Sequence, residues 1–184
     1  MNLQALPEEA LKEILALTEA KKRLELRALA SEKFLPFAHH VYENFIEGQH
    51  HRVFAEKLEL VAQGKIKRLI INMPPRHSKS EFASYLMPAW FLGRNPKLKI
   101  IQATHNTELA VRFGRKVRDL IDDPAYQEIF PETNLKEDNK GAGKWGTTAG
   151  AEYFAAGVGA AITGRGADLL IIDDPHSEQD ALSE

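Results

Sequence analysis

Lys79 and Ser80 close the stretch Met73-Pro74-Pro75-Arg76-His77-Ser78-Lys79-Ser80, whose residue types suit phosphate chemistry. A loop that runs into a helix start turns backbone N–H groups toward one point, where the positive end of the helix dipole favours an anion. A lysine placed there reaches the outer phosphates of a nucleotide, and a Ser hydroxyl ligates magnesium. Both glycines of the usual G-x-x-x-x-G-K-[ST] pattern are replaced, by Met73 and Ser78, so the stretch also reads as an exposed Lys-Ser pair at a helix start.

A second stretch, Leu169-Leu170-Ile171-Ile172-Asp173-Asp174, puts two carboxylates at the end of an apolar run. Adjacent carboxylates repel each other, and a bound cation relieves that repulsion. On this reading Asp173 holds magnesium, directly or through water, while Asp174 orients or deprotonates an attacking water. The same residues also read as an acidic cap leading into Pro175.

Both stretches need strands and helices to aim them. Pro7, Glu8 and Glu9 open a helix that the spacing of Leu11, Ile14 and Leu15 carries to about Ala30. Phe34, Phe37, Tyr42 and Phe45 surround Pro36 in a short aromatic helix, and Phe54, Leu58 and Val61 mark another from about His51 to Gln63. The period then changes. Arg68–Asn72 reads as a strand buried on both faces, followed by a polar turn and a helix from Lys79 to about Phe91, bent or shortened by Pro88. Leu98–Ala103 reads as a second strand, and Leu109, Phe113, Val117 and Leu120 as an amphipathic helix ending near Pro124. The segment from Pro131 to Gly150 reads as a long surface loop, Glu152–Ala156 as a short strand, Gly157–Gly166 as a glycine-rich connection and Leu169–Ile172 as a third buried strand. The alternation of strand and helix predicts an α/β fold with a mostly parallel sheet and its site at the carboxyl ends of the strands.

Composition sets the outer bounds. The chain has 184 residues, 43% hydrophobic and 27% charged, as in globular proteins, and its length suits one domain or slightly more. A net charge of −2 does not announce a nucleic-acid binder, although Arg112, Arg115 and Lys116 share one helix face and read either as phosphate contacts or as a solvated basic surface. With no cysteine, disulfides and thiolate metal sites are excluded. The adjacent pairs His39-His40 and His50-His51 do not have zinc-ligand spacing. No apolar run is long enough for a membrane span and no signal-peptide pattern opens the chain, so the expectation is a cytoplasmic protein without membrane contact.

Met73 to Ser80, Ala103 to Ile121 with its Ala-Thr-His-Asn and Phe-Gly-Arg-Lys-Val-Arg, and Gly159 to Pro175 together resemble the ATPase region of phage large terminases, in whose motor the Pro-Pro-Arg-His-x-Lys-Ser loop replaces the glycine-rich one. The resemblance implies a three-layer P-loop NTPase fold, with a helical subdomain at 1–60 and an ATPase core at 61–184. It implies ATP and Mg2+ as ligands, with Pro74, Pro75, Arg76, His77, Ser78, Lys79 and Ser80 around the phosphates and Ser80 and Asp173 on the metal. Arg76 would contact the γ-phosphate as an arginine finger does, Lys79 and Asp174 would be catalytic, and Gln49, in the Phe45–Phe54 segment, would be the place for adenine. The family often has glutamate where Asp174 stands. Because the chain stops ten residues after Asp174, the expectation is an incomplete sheet, no coupling motif and no nuclease domain, hence no DNA cleavage. The implied partners are double-stranded DNA, a small terminase subunit, a portal ring and further copies in a homo-oligomeric ring. A helicase-like translocase and a nucleotide- or DNA-binding module without turnover are the alternative readings.

Overall fold

The computed structural model describes residues 7–160, 162 and 164–176. Three helices come first: α1 Glu8–Glu32, α2 Phe34–Val41 and α3 Gln49–Ala62. Pro36 falls in the first turn of α2, where its missing N–H has no intrahelical acceptor to lose. A helical stretch then begins at Lys79, widens into a π-helical segment, Glu81–Leu86, and continues as α4 Met87–Arg94. Pro88 does not end it, because the wide turn just ahead of the proline already interrupts the regular i→i−4 bonding.

The sheet follows: β1 Lys99–Thr104, then α5 Thr107–Ile121 and α6 Pro124–Ile129, then β2 Leu135–Lys140, β3 Lys144–Thr147, β4 Glu152–Gly157 and β5 Leu169–Ile172. Its order is β2-β3-β4-β1-β5. β4, β1 and β5 run parallel, while β2 and β3 are antiparallel additions, so the fold is α/β with a mixed sheet and the mostly parallel expectation fails. The 131–150 stretch read as a loop is largely the β2–β3 hairpin. Its anchor is Trp145, fully buried and stacked at 4.7 Å on Tyr153 of β4, with its indole N–H donated to the Gly114 carbonyl.

Arg68–Asn72 is not a strand. Leu69, Ile71 and Met73 are half-buried against the core while Arg68, Ile70 and Asn72 face solvent, so the segment alternates but, among the described residues, its backbone joins no ladder. A continuous apolar run in sequence did not reveal that only one of its faces would be covered.

One sheet face carries Ile100, Gln102, Tyr153, Ala155 and Ile171 and packs on the helices. Gly114 permits the closest approach of α5, since a Cβ there would lie 2.6 Å from the Ala142 carbonyl oxygen and 3.0 Å from the Tyr153 ring. Phe34, Phe37 and Leu58 of the N-terminal helices share one apolar cluster with Phe82, Trp90 and Ile100, which ties the helices to the sheet. The opposite face holds Ile101, Ala103, Phe154 and Ala156, and Arg165 of the β4–β5 connection lies 4.0 Å over the Phe154 ring. Among the described residues no helix forms a third layer on that face, so the three-layer expectation is met only in part. Among the described residues β5 is an edge strand, with Leu170 and Ile172 exposed.

Candidate functional site

The parallel strands end at one place. Beyond β5, the Asp173 N–H donates to the Ala103 carbonyl at 2.9 Å and the His105 N–H donates to the Asp174 carbonyl at 3.0 Å, so the acidic pair is clamped to the tip of β1. The pair diverges there. Asp174 takes a left-handed backbone, φ 44°, which turns its carboxylate into solvent, whereas the Asp173 carboxylate is buried.

Lys79 arrives from the other side. Its ammonium donates to Asp174 Oδ1 at 2.5 Å and lies 3.6 Å from Asp173 Oδ1, joining residues 95 positions apart in sequence. The lysine pKa is raised above its ordinary value, first by the hydrogen bond to Asp174, so the group stays a cation. The second Asp173 oxygen accepts a 2.8 Å hydrogen bond from Ser84, a fully buried hydroxyl carried by the π-helical segment. Ser84 therefore holds the Asp173 carboxylate in one orientation, with its other oxygen toward Lys79. An isolated π turn inside a helix often marks such a functional displacement.

The loop before Lys79 has an unusual backbone. Arg76 has φ 62° and Ser78 φ 63°, both in the left-handed region that glycine occupies without penalty. Ser78 stands where the common loop has its second glycine, so the conformation is kept although the glycine is not. Alternation of left-handed and ordinary residues points successive N–H groups to one side, the arrangement of an anion-binding nest. The side chains of Pro74, Pro75, Arg76 and His77 are exposed, and His77 donates from Nδ1 to the Pro75 carbonyl at 2.8 Å, bracing the turn. Ser80 is half-buried, and its hydroxyl has no hydrogen bond among the described residues.

No protein-family model, curated protein or solved structure matches the chain.

Of the residues read from sequence, Lys79, Asp173 and Asp174 are in mutual contact, and the 74–78 loop and Ser80 adjoin them. Gln49 is exposed at the start of α3; its neighbour His50 has its ring 5.6 Å from that of His77, which brings this end of α3 beside the loop. Lys116 is not a free basic side chain: it binds both oxygens of Glu81 at 2.8 and 2.9 Å and lies over the Tyr85 ring, leaving Arg112 and Arg115 exposed. Ser84 escaped the sequence reading. For Ser84 a signal existed, a small hydroxyl residue inside the largely apolar helical run that follows the loop.

Proposed function

We propose that this site binds ATP with magnesium and hydrolyses it, and that the chain is the ATPase region of a phage large terminase motor of P-loop type that drives double-stranded DNA into proheads. The observation that carries the proposal is the meeting of Lys79 with Asp173 and Asp174 at the carboxyl ends of parallel strands. A loop lysine and strand-tip acids are what a triphosphate and its cation require on either side.

The residues present fit the ligands. The left-handed turns at Arg76 and Ser78 favour an anion; among the described residues Ser80 has a spare hydroxyl, and Asp173 is a buried carboxylate held by a single neutral donor and a more distant cation. Ser80 and Asp173 would hold magnesium, which requires only one or two protein ligands besides phosphate and water. When bound, the ion neutralises charge on the β- and γ-phosphates. Within the chain, Lys79 attracts the outer phosphates, the 74–78 loop orients them through its backbone, and Arg76 is free to stabilise charge that develops on the transferred group. Asp174 orients or deprotonates water once Lys79 has left it for the phosphates. That exchange is the conformational step the Lys79–Asp174 contact implies.

Phosphate release from ATP and magnesium, compared among the unmodified chain, Lys79→Ala and Asp173→Ala, tests the proposal. Equal rates in all three would remove the enzymatic claim. The Lys79–Asp174 contact also favours a second reading, a nucleotide-binding module without turnover, for which calorimetry would show binding while no phosphate appears. Duplex DNA, a small terminase subunit, a portal ring and a ring of further copies are the partners proposed with the first reading. Exposed Arg112 and Arg115 support the DNA contact.

A further inference from the structure

α1 is far longer than its attachment. Only Ala30 of its 25 residues is buried. The anchors lie near its carboxyl end, where the Trp90 indole N–H donates to the Ala30 carbonyl at 3.1 Å and Arg27 pairs with Glu128 at 2.8 Å. Residues 8–26 therefore project along about 28 Å of helix. Leu15, Leu17 and Leu24 on this arm are 62%, 63% and 63% exposed. Helices of this length draw most of their stability from a packed face, and this one lacks a partner for Leu15, Leu17, Leu24 and Leu26 among the described residues.

The arm carries its own pattern. Ala10, Ile14, Leu17, Lys21, Leu24 and Ala28 follow one another at alternating spacings of four and three, the seam of a helix pair. Its charge is divided along its length: residues 8–19 hold four glutamates and one lysine, and residues 20–31 hold four basic residues and one glutamate. A parallel pair would set like charge against like. An antiparallel pair sets each acidic half against a basic half, and places Ala10 opposite Ala28 and Ile14 opposite Leu24.

We infer that α1 is a self-association surface whose occupant is α1 of a second copy, packed antiparallel along the Ile14–Leu24 seam. Lys21 in the seam selects the register at some cost in stability, as a single polar seam residue does in helix pairs. The inference does not depend on nucleotide binding.

Sedimentation equilibrium of the full chain is expected to show a reversible dimer at tens of micromolar, and Lys21→Glu/Lys22→Glu/Arg23→Glu to raise its dissociation constant at least tenfold. Mixing that variant with Glu9→Lys/Glu13→Lys/Glu19→Lys should restore a dimer that neither forms alone. Orientation is read by crosslinking, which the absence of native cysteine makes clean. Ala10→Cys mixed with Ala28→Cys should give the mixed disulfide, and neither should couple efficiently to itself. Circular dichroism of every variant, unchanged in helix content, excludes unfolding as the cause of dissociation. A monomer at 100 µM, or a dimer indifferent to the charge reversals, would overturn the inference; self-coupling of Ala28→Cys would overturn the antiparallel arrangement.

Discussion

Replacing Asp174 by Asn should tighten nucleotide binding while it abolishes turnover. The Lys79 ammonium is held by Asp174 at 2.5 Å, and a phosphate must displace that carboxylate. The competing pair is partly solvated, since the Lys79 side chain is 27% exposed and that of Asp174 59% exposed. Its strength therefore belongs in the surface range of about 0.2–1 kcal/mol rather than with buried pairs. Release from that competition corresponds to a gain of about 1.4- to 5-fold in affinity. Loss of one negative charge beside the polyphosphate acts in the same direction. Asp173→Asn provides the contrast, because removing the charge of the acid that would hold magnesium should weaken magnesium-dependent binding. The assay is calorimetric titration of the three proteins with a non-hydrolysable ATP analogue, with and without magnesium. Unchanged or weaker binding by Asp174→Asn would refute the view that its carboxylate competes with phosphate for Lys79.

Ser84→Ala should cost about 1.5–3 kcal/mol, the range for a hydrogen bond to a charged group, measured as a shift in the urea midpoint. It should also raise the magnesium concentration needed for half-maximal nucleotide binding, because the Asp173 carboxylate would then turn freely. Gly114→Ala should destabilise by about 1–3 kcal/mol in thermal unfolding, since its Cβ would meet backbone at 2.6 Å. His51 supplies a pH test. Burial first, and the neighbouring His50 next, depress its pKa below the ordinary 6.5. Between those two values the unfolded chain binds the proton and the folded chain does not, so stability is full above pH 6.5 and declines as pH falls through that window. Subtracting the pH–stability curve of His51→Phe from that of the unmodified chain should isolate this decline; a flat difference would show that His51 does not contribute it.

Much of the site was legible locally. The Lys79-Ser80 helix start, the apolar run ending in Asp173 and Asp174, and the amphipathic α5 each announce themselves within a few residues, because helix period, apolar runs and cap chemistry are properties of neighbouring positions. What lay beyond the sequence involved distant partners. Arg68–Asn72 has strand composition but no adjacent strand, and β2, Leu-Lys-Glu-Asp-Asn-Lys, has little strand composition but joins the sheet through β3, which Trp145 anchors on Tyr153.

By itself the sequence determined which residues can form helices, which runs prefer an extended backbone and which side chains are capable of phosphate chemistry. The tertiary structure alone decided that the sheet is mixed, that Ser84 orients Asp173, and that Lys79 rests on Asp174 rather than in open solvent. The reason is physical. A helix satisfies its backbone hydrogen bonds within itself, whereas a strand or a charge pair is completed by groups far away in the chain, whose positions only the packed core supplies.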